Sequence, residues 1–267
     1  MPTNVLTTQS IKDLLGFPFR GKEWQSRFLI GLGLMLLGFI PFLSWILQTG
    51  YFARIMQRAI RGEELELPAW EDWGKLVMDG LRLFGVNLVY LLPVYIVMFG
   101  GMAAYMIGFF LLVPLMDTAG SSEAAMEASM LMFILMGVMF ISMFLSYLLV
   151  LLGGIPLPVA MARVVDQGKF GAAFQFGEIN RLLWRNKGGY FTAWVILAGL
   201  MTIFYFATVM FYVTMIFAWV IFILWIPFGF YLMAISAGLF GQTYRESLAL
   251  AEAADVIPSA VQEGSNR

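Results

Sequence analysis

Residues 188–244 read GGYFTAWVILAGLMTIFYFATVMFYVTMIFAWVIFILWIPFGFYLMAISAGLFGQTY, 57 residues without one Asp, Glu, Lys or Arg. As a single helix rising 1.5 Å per residue the stretch would reach ~86 Å, nearly three times the ~30 Å thickness of a bilayer's hydrocarbon. It must therefore cross, turn and cross back. The turn is expected near Tyr212–Thr214, giving spans at about 190–211 and 217–240. A soluble reading would need helices that are apolar all round, buried under too little polar surface. The whole chain points the same way: of 267 residues, 61% are hydrophobic and 12% charged, about half the ~25% of a soluble domain.

Three more charge-free windows lie upstream, at 28–53, 83–116 and 128–162. The last two are too short for two crossings and longer than one requires. Each is expected to be one tilted or broken span, at about 84–113 and 129–157. Pro93 and Gly100–Gly101 are the expected break points in the first, and Gly153–Gly154 with Pro156 and Pro158 in the second. Segments 54–82 and 163–187 carry five cations each and loop 117–127 carries none. The positive-inside rule puts both basic segments, and the C-terminal tail from Arg245, in the cytoplasm of a cell-membrane protein. Residues 1–27, an amphipathic tail with Lys12, Arg20, Lys22 and Arg27, also look cytoplasmic. That conflicts with a single crossing at 28–53. Either the positive-inside rule fails there and the window is a fifth span, or Phe28–Phe39 enters, bends at Ile40-Pro41 and returns as a re-entrant hairpin. The expected organisation is an all-α, polytopic transmembrane helical bundle over 28–245: four spans plus that fifth span or hairpin. Tail 246–267 follows, its last part expected to be disordered.

The layout repeats weakly: a span ends, an Arg follows, then a Gly, then an aromatic amphipathic segment. The first copy runs Thr49-Gly50-Tyr51-Phe52-Ala53-Arg54, Gly62, then Trp70 to Leu83. The second runs Pro158-Val159-Ala160-Met161-Ala162-Arg163, Gly168, then Phe170 to Trp184. Gly241 to Arg245 resembles a third exit, and Arg-to-Gly distances of eight and five require a gap. Pro68 suits a first helical position, and Glu71 and Asp72 suit a first turn, so an interfacial helix is expected over 68–83. Trp70, Trp73, Val77 and Leu81 would form its apolar face. A second interfacial segment is expected over 170–186, with Phe176, Ile179 and Leu183 apolar. Both would lie at the cytoplasmic membrane surface or pack on the ends of the bundle.

The run Gly50-Tyr51 to Arg54, the Arg58/Arg61 pair, Glu66-Leu67-Pro68-Ala69-Trp70-Glu71-Asp72-Trp73-Gly74 and Gly80 resembles the signature of a prokaryotic membrane-protein family. That family is the domain of unknown function numbered four thousand and thirteen. The resemblance covers roughly 28–245 and is sharpest at 50–80. It implies a prokaryotic integral membrane protein, and it implies no activity and supplies no catalytic residues.

Chemistry is scarce. The near balance of 16 basic and 17 acidic residues excludes a nucleic-acid binder. With no Cys and no His, thiol nucleophiles, thiolate metal sites and imidazole bases are excluded. The spans hold no ionisable residue, where function would first be sought, and H-E-x-x-H, P-loop and G-x-S-x-G patterns are missing. The carboxylates Glu63, Glu64, Glu66, Glu71 and Asp72 match no recognised metal loop, and Arg58 and Arg61 can neutralise them. No catalytic residue, metal or cofactor is expected. Contacts to anionic lipid headgroups or to a membrane-protein partner are expected at Arg54, Arg163, Arg245, Trp70, Trp73 and Trp184, although positive-inside anchoring alone also explains the arginines. Gly100, Ala104 and Gly108, with Ala234 and Gly238, form small-residue ridges for packing within the chain or in a homodimer. The leading expectation is a non-enzymatic accessory or scaffold protein. The competing one is a channel or carrier for an uncharged or weakly polar solute, which a re-entrant hairpin would favour.

Overall fold

The computed structural model describes residues 8–39, 42–118, 122–213 and 218–265, whose regular secondary structure is helix, without a strand among them. The helices are α1 (Thr8–Gly16), α2 (Trp24–Leu36), α3 (Leu43–Arg61), α4 (Trp73–Thr118), α5 (Ser122–Gly154), α6 (Leu157–Gln167), α7 (Phe176–Arg185), α8 (Lys187–Val213) and α9 (Ala218–Ser265). Among the described residues, four stretches are long and apolar enough to cross a membrane: Trp73–Pro114, Glu123–Gly154, Lys187–Tyr212 and Ile223–Ala254. The protein is an all-α, multi-pass membrane protein. The long uncharged window does divide in two, with α8 ending at Val213 and α9 starting at Ala218. Thr214 and the bend expected at Ile40-Pro41 lie outside the described residues.

The chain forms two compact units, residues 87–157 and residues 1–86 with 158–267. The first is an antiparallel hairpin of α4 and α5. Its seam on α4 is Val94, Gly101 and Gly108, seven residues apart, the period that keeps one stripe of a helix against a partner at a shallow crossing. A Cβ on Gly101 would fall 2.3 Å from the Ser142 Cβ, and one on Gly108 2.0 Å from a Leu135 methyl. Ser146 donates to the Val94 carbonyl at 3.4 Å. This corrects the expected ridge. Gly108 belongs to it, but Gly100 has open space where a Cβ would sit, and Ala104 is only half-buried. The break expected at Pro93 and Gly100–Gly101 does not occur either: α4 is continuous through Pro93 and Pro114. A proline removes one backbone bond, which local adjustment in a spanning helix tolerates. The break at Gly153–Gly154 is present, between α5 and α6.

The other unit is organised around α9, on which α1, α2, α3, α7 and α8 all pack. Close approach comes from glycines: a Cβ on Gly31 would stand 2.2 Å from the Phe230 ring, and one on Gly241 2.6 Å from the Ala59 Cβ. Ala234 is fully buried, and Gly238 faces Leu14, Phe17 and Leu65, so this pair packs within the chain. α3 ends at Gly62 in the left-handed region (φ 73°), with Gly62 N–H bonding Ala59 O and Glu63 N–H bonding Arg58 O.

The next ten residues differ from expectation. Residues 63–72 are a non-helical hook, and α4 starts at Trp73, not Pro68. The Asp72 carboxylate accepts the Lys75 N–H at 3.3 Å, capping the helix there, while Pro68 is buried with its carbonyl bonded to a side chain of α3. The segment expected at the interface and the span that follows it are one helix. In the second copy, α7 buries Ile179 and Leu182 and leaves Phe176 and Trp184 exposed, because its inner face is the one turned to α9. The helix α9 continues to Ser265, so residues 246–265 extend it.

Candidate functional site

The hook is held from two helices. From α3, the Tyr51 hydroxyl donates to Pro68 O at 2.8 Å, and its ring stacks on Trp70 at 3.9 Å, nearly parallel. One turn on, Arg54 donates to Ala69 O at 3.3 Å and to Asp72 O at 2.7 Å. From α2, Arg27 donates to Leu67 O, and its own carbonyl accepts the Trp70 indole N–H at 2.8 Å. Glu66 lies between Arg58 at 3.1 Å and Arg27 at 3.7 Å, and Glu63 lies 3.8 Å from Arg61. The acidic run therefore neutralises arginines. Among the described residues no three carboxylates converge as metal ligands would.

Arg27 and Arg54 bound the apolar stretch 28–53, and both grip this one hook. The chain between them goes out along α2 and returns along α3. Near the reversal the Ser44 hydroxyl donates to the Leu34 carbonyl, ten residues back. Towards that end the exposed side chains are apolar: Leu36, Leu37, Phe42, Leu43 and Trp45.

The second copy reproduces the clamp on a second hook, residues 168–175 between α6 and α7, which includes a 3-10 turn at Phe170–Phe174. Arg163, 6% exposed, donates to Ala172 O at 3.4 Å and to the Gln175 side chain. In each copy the exit arginine reaches two positions three apart, the second just before an aromatic-Gly helix start, Trp73-Gly74 or Phe176-Gly177. The reach is 15 and 18 residues in the first copy and 9 and 12 in the second. The duplication is thus a shared device with a loop six residues longer in the first copy. Arg245 lies against Gly62, where a Cβ would fall 2.2 Å from its guanidinium.

The residues expected at lipid or partner contacts therefore divide. Arg54 and Arg163 bond their own hooks, and Trp70 is buried in the core at 8% exposure. Trp73 and Trp184 are open, at 47% and 64%. Sequence reasoning missed Arg27 and Tyr51 as hook partners, and nothing in a single chain announces a contact 43 residues apart. It also missed a cleft of about 130 Å³ among α3, the start of α4 and α6, lined by Gln57, Lys75, Asp79, Arg82, Val164 and Gly168 with neighbouring apolar residues. Arg82 pairs with Asp79 there at 3.1 Å.

No curated protein and no solved structure matches the chain. A family model described as "Protein of unknown function (DUF4013)" matches residues 33–213, a stretch that takes in both hooks, both exit arginines and the cleft. With well over half its length so matched, the chain belongs to that family.

Proposed function

We propose that this is a non-enzymatic accessory or scaffold protein of the cell membrane, with the hooks and the C-terminal end of α9 on the cytoplasmic side. Its α2–α3 hairpin enters only the adjoining leaflet. The observation that carries the reading is the shared anchorage of Arg27 and Arg54, which makes the apolar stretch leave and return at one level. Length supports it: the ten residues from Arg27 to Leu36 rise about 14 Å as helix, half of the ~30 Å hydrocarbon. The exposed Trp73, Phe176 and Trp184 are suited to the headgroup region.

A re-entrant hairpin also occurs in carriers, where it lines a pathway. Here the space between the hairpin and α9 is filled, with the Phe230 ring against Gly31 and edge-on to Phe28 at 5.1 Å. That favours anchoring over transport. Purified in mild detergent, the full chain is expected to retain phospholipid enriched in anionic species, or a membrane-protein partner. A partner-free monomer with no lipid preference would overturn the proposal.

A further inference from the structure

We infer that the cleft lined by Gln57, Lys75, Asp79 and Arg82 is a binding site for the phosphate of an anionic phospholipid. The inference rests on the membrane-surface reading above and names the chemistry of one site on it. Depth is the first argument. Arg82 is the last charged residue before the uncharged window 83–116, so the cleft sits at the boundary between water and hydrocarbon, where headgroup phosphates lie.

Charge is the second. Lys75 and Arg82 bring two cations against the single carboxylate of Asp79. The Arg82–Asp79 pair fixes that guanidinium while leaving it further N–H donors. The Lys75 ammonium has no carboxylate within ion-pair distance among the described residues, and the Gln57 amide supplies a neutral donor. An incoming phosphodiester would meet three kinds of donor and a net positive charge. Size and wall are the third. At about 130 Å³ the cleft far exceeds the ~10–15 Å³ that a cavity needs to hold one water, and has room for a tetrahedral oxyanion. Leu83, Val164 and Val165 make its other wall apolar, which suits a phosphate carrying a glyceride more than a hydrated free ion.

The test is native mass spectrometry of the full chain in detergent, titrated with phosphatidylglycerol. Lys75→Glu is expected to weaken binding about fivefold or more, the factor one cation contributes at an anionic surface. Arg82→Gln should act in the same direction. Arg185→Gln, an exposed cation outside the cleft, is expected to bind as the parent does, and millimolar inorganic phosphate is expected not to displace the lipid. Displacement by inorganic phosphate would make free phosphate the ligand and overturn the lipid assignment. Unchanged binding by both cleft variants, or equal weakening by Arg185→Gln, would overturn the site and leave the membrane-surface reading standing. If the parent chain binds no phosphatidylglycerol at all, the site falls, and the membrane-surface reading falls with it only if the purified chain also keeps no partner and no other anionic lipid.

Discussion

Gly80→Val is expected to leave little folded protein in detergent, whereas Gly100→Val on the same helix behaves like the parent. A Cβ at position 80 would stand 1.9 Å from the Ile46 carbonyl oxygen and 3.1 Å from the Gly50 nitrogen; one at position 50 would stand 2.0 Å from the Leu76 carbonyl oxygen. These neighbours are backbone, so no rotamer change relieves the clash, and α3 and α4 would have to separate. Thr49 bridges the same crossing, its hydroxyl 3.2 Å from Gly80 O. The cost is put at about 3 kcal/mol or more, the upper end for overpacking, out of a total stability of roughly 5–15 kcal/mol. At Gly100 no described residue beyond its chain neighbours and the adjoining backbone of its own helix lies within 4 Å of the added carbon. Thermal unfolding followed by size-exclusion in detergent separates the two: similar losses at both positions would mean that the α3–α4 crossing is not as close as described.

Trp70→Ala is expected to be the next most damaging change, destabilising by about 3–5 kcal/mol as large aromatic truncations in cores do. It removes the stack on Tyr51 and the bond to Arg27 O together, and so leaves α2 tied to the hook only through the Arg27 guanidinium at Leu67 O and Glu66. Tyr51→Phe keeps the ring and loses only the bond to Pro68 O; about 1 kcal/mol is expected. If the two variants unfolded at the same temperature, the hook would be held by its hydrogen bonds more than by the stacked rings.

The spans were legible because they depend on a property that adds along the chain. Fifty-seven residues without a charge admit few arrangements in a bilayer, and α8 and α9 occupy the two predicted crossings. The hook was not legible, because Pro68, Glu71 and Asp72 fit a helix start locally, and it takes side chains from α2 and α3 on its carbonyls, together with the Asp72 cap, to move that start to Trp73. Gly100 and Gly101 are adjacent in sequence, yet a helix turns ~100° between them, and which one meets α5 depends on where α5 lies. The repeat in the sequence singles out Arg54 and Arg163, and each bonds the segment that follows it. What they touch could not be read, since a guanidinium at a span exit serves a lipid phosphate or a backbone carbonyl equally well. The cleft draws on three segments, around 53–57, 75–83 and 164–168, whose meeting is a tertiary fact.

The central claim, that residues 28–53 leave and re-enter at one membrane face, is tested most directly by single-cysteine labelling, since the chain has no cysteine of its own. Lys12→Cys, Glu123→Cys and Ala253→Cys place probes at exposed positions before the hairpin, at the start of α5 and late in α9. With a membrane-impermeant maleimide on intact cells, Glu123→Cys is expected to label, and Lys12→Cys and Ala253→Cys to label only after permeabilisation. Labelling of Lys12→Cys in intact cells, with Ala253→Cys still protected, would put the N-terminus outside, make 28–53 a plain crossing and contradict the hairpin.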